Sequence, residues 1–190
     1  MHNKNQLLII GGVSSDILHL QDSTAKCAGG AGMYTAVAAT HCGAHSILFG
    51  PRPNTCPDHL TIVDQYIADW IGPIVPVEQL PAFEISYRNS KTEYLTVSLN
   101  AEENLSPEML PSDLTNFALV HVTPLGDARK QLSFVQACRR RGAKRISAGT
   151  GLFNAEKQAQ AVGDVIEHSD YFFMNSYEAD YIFGSIQSAK

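Results

Sequence analysis

Three sets of residues carry groups that could do chemistry. Asp16, within Val13-Ser14-Ser15-Asp16-Ile17-Leu18, is a carboxylate a few residues past the aliphatic run Leu7-Leu8-Ile9-Ile10. A carboxylate there serves either as a turn or capping group or as an acceptor for the hydroxyls of a ligand. Gly29, Gly30 and Gly32 put three glycines into four positions directly ahead of a small-residue pattern, Ala36, Ala38 and Ala39. Without a Cβ, glycine suits a place where the main chain turns sharply or where a ligand must touch it. The plain reading is a tight turn before a buried helix, with the alanines favouring helix. Asn175 and Glu178 form the third set. An Asn followed three residues later by Glu is close to a capping box, in which each side chain satisfies a free backbone N–H. The pair also follows an apolar strand, at the end where open parallel sheets place their ligands. Both readings hold together.

Other clusters carry less. His41-Cys42-Gly43-Ala44-His45 contains metal-ligating residue types, but Gly43 ends the helix and splays the two histidines apart, which weighs against a metal site. Cys27, Cys42, Cys56 and Cys138 have no CxxC spacing, so neither a zinc knuckle nor a redox motif is written locally, and buried thiols are the expectation.

The elements that position these groups read as α/β. Leu7 to Ile10, closed by Gly11-Gly12, suits a strand buried on both faces of a largely parallel sheet. The glycine-led helix and a strand at Ser46 to Gly50 complete a βαβ order with short connections. Prolines 51, 53, 57, 73, 76 and 81 then punctuate a less regular stretch with one expected helix, roughly Asp58 to Trp70. Ala82 to Tyr87 and Glu93 to Leu99 alternate with period two and read as a hairpin, Asn89-Ser90 supplying the turn. Such alternation implies one wet face, outside the two-sided core. Regular order resumes with a strand at Leu119 to Val122, a helix through Leu132, Val135 and Cys138 ending before Gly142, and a strand at Arg145 to Ala148. A single helix through Ala155, Ala159, Val162 and Ile166 and a buried strand at Tyr171 to Met174 follow.

The 190 residues, 44% hydrophobic and 17% charged, suffice for one domain with a real core. A net charge of -5 argues against nucleic acid or an anionic membrane as the main partner. Arg139-Arg140-Arg141 is the only dense basic run and suits a solvated helix end. Leu7 to Ile10 is too short for a signal-peptide core or a membrane span, so the chain reads as cytoplasmic.

The order of these motifs resembles the PfkB family of carbohydrate kinases. A first strand ending in glycine and an Asp (Gly11 to Asp16), a Gly-Gly helix start running to Gly-Ala (Gly29-Gly30 to Gly43-Ala44), a polar hairpin and a late Asn-x-x-Glu (Asn175 to Glu178) occur in sequence over nearly the whole chain. The resemblance implies a ribokinase-like three-layer α/β/α fold with a mainly parallel central sheet and a small β lid. Residues 1–190 would form a single domain lacking the C-terminal part of that fold, with a lid hairpin around 82–99. It implies ATP-dependent phosphoryl transfer to a hydroxyl of a sugar or nucleoside, chemistry that needs alignment, a metal to offset phosphate charge and a base. By the same resemblance Asp16 would accept hydrogen bonds from sugar hydroxyls, and Gly29 and Gly30 would press main chain against the sugar and flex. Asn175 and Glu178 would help position Mg2+ and phosphates, through water. ATP and the small substrate are the implied partners, and a homodimer is admitted.

Three departures qualify that picture. Family members often carry Asn at the substrate-facing positions held here by Ser14 and Tyr34, which points to a pocket altered in shape, one that could stack on a ring, the other reading being that Tyr34 packs in the core. Nothing after Glu178 matches the Gly-Ala-Gly-Asp type motif that holds the family's catalytic base, so no catalytic residue is assigned, and Asp16, Asp170 and Asp180 are poor substitutes. The expectation is therefore the substrate-binding portion of a kinase, without ATP turnover by these 190 residues alone. The alternative is a kinase-derived sugar-binding or interaction module. A Rossmann dinucleotide binder fits less well, since the glycines do not open from the first strand and the third fingerprint glycine is lacking.

Overall fold

The computed structural model describes residues 6–88 and 91–184, so the turn expected at Asn89-Ser90 lies outside the described residues. In chain order the strands are β1 (Gln6–Ile10), β2 (Ser14–His19), β3 (Thr24–Gly29), β4 (His45–Phe49), β5 (Arg52–Pro53), β6 (Asp69–Ile71), β7 (Ile74–Val75), β8 (Ala82–Arg88), β9 (Lys91–Ser98), β10 (Leu119–Val122), β11 (Ile146–Gly149) and β12 (Tyr171–Phe173). The α-helices are α1 (Ala31–His41), α2 (Thr61–Tyr66), α3 (Ala128–Arg140), α4 (Leu152–Lys157), α5 (Ala159–His168) and α6 (Ser176–Phe183). These elements cluster into two compact units, one comprising the chain up to Ile10 and from Ser106 onward, the other Gly11–Leu105.

In the first unit four parallel strands run in the order β12-β11-β10-β1. Leu8, Ile9 and Ile10 are wholly buried, as a continuous aliphatic run requires. Successive strands stay in register, Ile10 beside Val122, Val122 beside Ala148 and Ala148 beside Phe172. Helix α3 opens on Asp127, whose carboxylate accepts from the Arg129 N–H at 2.8 Å. It buries Phe134, Val135 and Cys138 and ends where the Ala143 N–H reaches back to the Cys138 carbonyl at 3.0 Å.

Two expectations for this unit need correcting. The single helix through Ala155 to Ile166 is two, α4 and α5, broken at Gln158. No glycine or proline marks the break. Its physical reason is tertiary: the Gln158 side-chain oxygen leaves helical register to accept from the Ala128 N–H at 2.8 Å, satisfying the first turn of α3. The strand at Tyr171 to Met174 is not buried, because β12 is the edge strand and Tyr171 and Phe173 are 53% and 62% exposed. The basic run at the end of α3 does more than meet solvent. Arg139 reaches Asp170 at 2.9 Å, and Arg141 donates to the Leu110 carbonyl at 2.9 Å.

In the second unit β4 and β6 pair in parallel. The helix expected over Asp58 to Trp70 is shorter, a 3-10 turn at Asp58–Leu60 followed by α2, and Trp70 belongs to β6 instead. Three residues are too few for a strand periodicity to show in sequence. A separate four-stranded sheet has the order β3-β2-β8-β9. Strands β2 and β3 pair antiparallel, β2 and β8 parallel, and β8 and β9 antiparallel with an irregularity between Glu84 and Ile85. The expected hairpin segments are thus half of a larger sheet.

One face of this sheet carries a row of side chains linking all four strands. His19 Nε2 lies 2.6 Å from Glu84 Oε1, His19 Nδ1 lies 3.1 Å from Thr24 Oγ1, and the Thr96 hydroxyl donates to Glu84 Oε2 at 3.4 Å. A carboxylate only accepts, so the imidazole proton facing Glu84 is on Nε2.

Candidate functional site

Asp16 sits within β2, not in the turn or cap that its position after the first strand suggested. Pairing sets its surroundings: Ser14 is opposite Gly29 and Asp16 opposite Cys27, while the parallel register places Phe83, Ile85 and Tyr87 of β8 on the same face. Tyr94 of β9, opposite Ile85, joins them, its ring edge-on to Phe83 with centroids 6.2 Å apart. Alternation along each strand is what gathers these residues.

Asp16 is buried, 6% exposed as a residue. Its Oδ1 accepts from the Phe83 backbone N–H at 3.2 Å. The buried Ser14 hydroxyl stands near the carboxylate, short of a full hydrogen bond. Burial pushes the Asp16 pKa above the usual carboxylate value, with Ser14 and the Phe83 N–H pulling it partly back. Gly29 makes room for the acid, since a Cβ there would lie 2.7 Å from both Ser14 Oγ and Asp16 Cγ. Gly29 thus closes β3, whereas Gly30 is the N-cap of α1 with φ +97°. The two glycines serve different elements, one giving a carboxylate space and the other turning the chain into the helix. The Gly30 carbonyl accepts the first helical bond, from the Tyr34 N–H at 3.1 Å.

Tyr34 is 62% exposed one turn into α1. Its phenol is held above its ordinary pKa by partial burial first and then by the charges of Cys27, Asp16 and Tyr87. The structure therefore brings Ser14, Asp16, Gly29, Gly30 and Tyr34 together within one unit. It adds Cys27, Phe83, Tyr87 and Tyr94, which sequence reasoning missed. The alternation of 82–87 already put Phe83, Ile85 and Tyr87 on one face, but without β2 and β3 nothing showed what that face met. On the opposite face a concavity of about 600 Å³ is lined by His19, Glu84, Ser86, Arg88, Lys91, Glu93 and Leu95, apart from the Asp16 group.

Asn175 and Glu178 belong to the other unit. They form a capping box at the start of α6: the Glu178 N–H donates to Asn175 Oδ1 at 3.0 Å, and the Asn175 N–H to Glu178 Oε2 at 2.9 Å. Replacing Asn175 with Ala is expected to cost about 1 kcal/mol of stability, within the range of such caps, measured as a lower urea midpoint at unchanged m-value. Asp170 is a structural tie. Burial would raise its pKa, but the Ile146 N–H at 2.7 Å and the Arg139 guanidinium outweigh burial and hold it low. His41, at the end of α1, lies against Tyr66 with ring centroids 4.8 Å apart. Among the described residues no group of three or more His, Cys, Asp and Glu side chains is placed to hold a metal ion, and no helix is long and apolar enough to cross a membrane.

No protein-family model matches the chain, and no curated protein matches it. Solved structures do. A probable sugar kinase from Rhizobium etli CFN 42 superposes with a TM-score of 0.75 at 15% identity, covering 97% of this chain and 68% of that one. Ribokinase from Giardia lamblia gives 0.75 at 19% identity, covering 95% and 61%. Adenosine kinase from Anopheles gambiae, in complex with a diadenosine tetraphosphate, gives 0.75 at 13% identity, covering 100% and 70%. The present chain thus spans between 61% and 70% of the length of these three. Identities this low establish fold, and the fold is the ribokinase-like α/β architecture of sugar and nucleoside kinases, with its mainly parallel sheet.

Proposed function

We propose that this chain is the substrate-binding portion of an ATP-dependent kinase that phosphorylates a hydroxyl of a sugar or nucleoside. The observation that carries the reading is the buried Asp16 carboxylate, one oxygen fixed by the Phe83 N–H and the whole group seated against the side-chain-free Gly29. Such a carboxylate binds neighbouring hydroxyls as an oriented acceptor, and little energy is lost in ordering it because it is already ordered. The likeness to ribokinase and adenosine kinase supports the reaction class.

Magnesium, in this reading, offsets phosphate charge. Asn175 and Glu178 suit a contact made through water, since each already gives one oxygen to the capping box and Glu178 keeps its other oxygen. The role of the chain's own residues is to hold the sugar. Asp16 accepts from its hydroxyls, Phe83 fixes the acid, and Gly29 with Gly30 lets main chain approach closely. No residue among these 190 is assigned as the catalytic base, and the expected result is substrate binding without magnesium-dependent ATP turnover by this chain alone. A binding module remains the second reading, favoured by one observation: the Asp16 group lies wholly within the unit Gly11–Leu105.

The test is calorimetric titration of the chain with pentoses, hexoses and nucleosides, repeated with Asp16→Asn. Hydrogen bonds to a charged group are worth roughly 1.5–3 kcal/mol, so affinity should fall about ten- to a hundredfold. The same variant should be at least as stable as the parent at neutral pH, because it removes the cost of burying a charge. Equal affinity for parent and Asp16→Asn, or no ligand bound at all, would overturn the assignment. Sugar phosphorylation by this chain, abolished by a mutation within it, would overturn the expected lack of turnover.

A further inference from the structure

The face of the four-stranded sheet turned away from Asp16 holds a second group of side chains with unmet chemistry, and its case stands whether or not the sugar seat does. The cavity there, about 600 Å³, is within the range of small-molecule pockets. Pairing of β8 with β9 sets part of its lining in two rows: Arg88 is opposite Lys91, and Ser86 is opposite Glu93. The rows lie about 7 Å apart along the strands. Glu84, next along β8, is already engaged, one oxygen with His19 and the other with Thr96. Among the described residues Arg88, Lys91, Ser86 and Glu93 make no side-chain hydrogen bond or ion pair. Two features separate this face from an ordinary solvated one. Ser86 is 9% exposed and lines the cavity, so a nearly buried hydroxyl faces it without a partner, at a cost that a ligand would remove. Arg88 and Lys91 set like charges directly opposite each other, which weakens a strand pair and is relieved by an anion between them.

We propose that this cavity binds a free aliphatic α-amino acid, its carboxylate on Arg88 and Lys91, its ammonium on Glu93 and Ser86, and its side chain against Leu95. The separation of charge selects the class. A simple anion would satisfy the two cations but bring its charge towards Glu93, and a simple cation would satisfy Glu93 while facing Arg88 and Lys91. A zwitterion meets both rows at once. The Ser86 hydroxyl has a lone pair for the ammonium and a proton for a carboxylate, so either end of such a ligand completes it. Leu95 is the apolar member of the lining and is 50% exposed, which favours an aliphatic side chain over a bare glycine.

The experiment is calorimetric titration of the chain with L-leucine, glycine, acetate, methylammonium and inorganic phosphate. L-Leucine should bind saturably, more tightly than glycine and at least about tenfold more tightly than acetate or methylammonium, each of which offers one charge only. Arg88→Gln and Glu93→Gln should each weaken L-leucine about ten- to a hundredfold. Both positions are exposed, so the urea midpoints of these variants should stay with the parent's. Ser86→Ala supplies a readout that a structural role would not give: affinity should fall about two- to tenfold while the urea midpoint holds or rises, because the hydroxyl removed has no partner in the free chain. Phosphate binding without L-leucine binding would overturn the zwitterion seat in favour of a plain anion site. No binding of L-leucine, or an affinity for it unmoved in Arg88→Gln and Glu93→Gln, would overturn the site altogether. None of these outcomes bears on Asp16, whose own titration with sugars and nucleosides is read separately.

Discussion

Replacing Gly30 with alanine is expected to lower stability by about 3–5 kcal/mol and to abolish ligand binding. Two costs add. With φ at +97° and ψ at 138°, Gly30 occupies a region that L side chains rarely adopt, and the strain is roughly 1–3 kcal/mol. A Cβ would also lie 2.5 Å from the Gly12 carbonyl oxygen and 3.1 Å from the Ser14 nitrogen. Both are main-chain atoms, which cannot swing aside as a side chain can, so overpacking of about 1–3 kcal/mol follows. Against the roughly 5–15 kcal/mol that holds a typical domain folded, this is a large share. Relief by backbone movement would displace Ser14, and with it the strand that presents Asp16. Gly163, inside α5 with open space around the site of its missing Cβ, provides the control: the same substitution there should stabilise by about 0.5–1 kcal/mol. Thermal unfolding and calorimetric titration of both variants check the pair. A Gly30→Ala chain that unfolds and binds like the parent would show that the close approach of α1 to the Gly12 segment is not required.

The second large effect is a loss of stability in acid, governed by His121. The residue is half-buried on β10, with Nδ1 2.8 Å from Ser147 Oγ of β11 and the ring centroid 6.2 Å from that of Phe173 of β12. Burial drives its pKa down to about 4, from an ordinary 6.5. The unfolded chain therefore binds a proton that the folded chain refuses between pH 6.5 and about 4. In that window unfolding takes up protons, so stability is full above pH 6.5 and falls as the pH drops. One pKa unit corresponds to about 1.4 kcal/mol, and the total approaches about 3 kcal/mol. Urea denaturation at pH 7 and pH 4.5 should show this loss, and His121→Gln, which does not titrate, should flatten it. An equally steep acid limb in His121→Gln would remove His121 from the account. Asp16 has the opposite sign: its raised pKa makes the folded state the better proton acceptor, so that contribution grows as the pH falls below the raised value.

The long apolar elements were legible in the sequence because their cause is local. Leu7 to Ile10, Leu119 to Val122 and the spacing of Val135 and Cys138 have a single physical outcome, burial of a run or of a stripe. Strand β3 shows why the rest was not legible. Thr24 to Gly29, Thr-Ala-Lys-Cys-Ala-Gly, has no alternation and little β propensity; it is a strand because β2 offers it hydrogen bonds along its whole length. The helix break at Gln158 likewise depends on Ala128, distant in sequence. For the site, residue types were readable and neighbours were not. Asp16 and the glycines were visible as candidates, but the reason Gly29 must be glycine, the volume of the Asp16 carboxylate, appears only when β2 and β3 are paired.

The row Thr24, His19, Glu84 and Thr96 has a consequence for how the sheet opens. Each strand of β3-β2-β8-β9 contributes one member, so no strand can leave without breaking a side-chain hydrogen bond as well as its ladder. Amide protons of all four strands should therefore exchange with solvent deuterium as one cooperative unit, with a common opening free energy, although β9 is an exposed edge that would ordinarily fray first. Asp16, carried on a central strand of that unit, then keeps its place through local fluctuations and loses it only when the sheet opens as a whole.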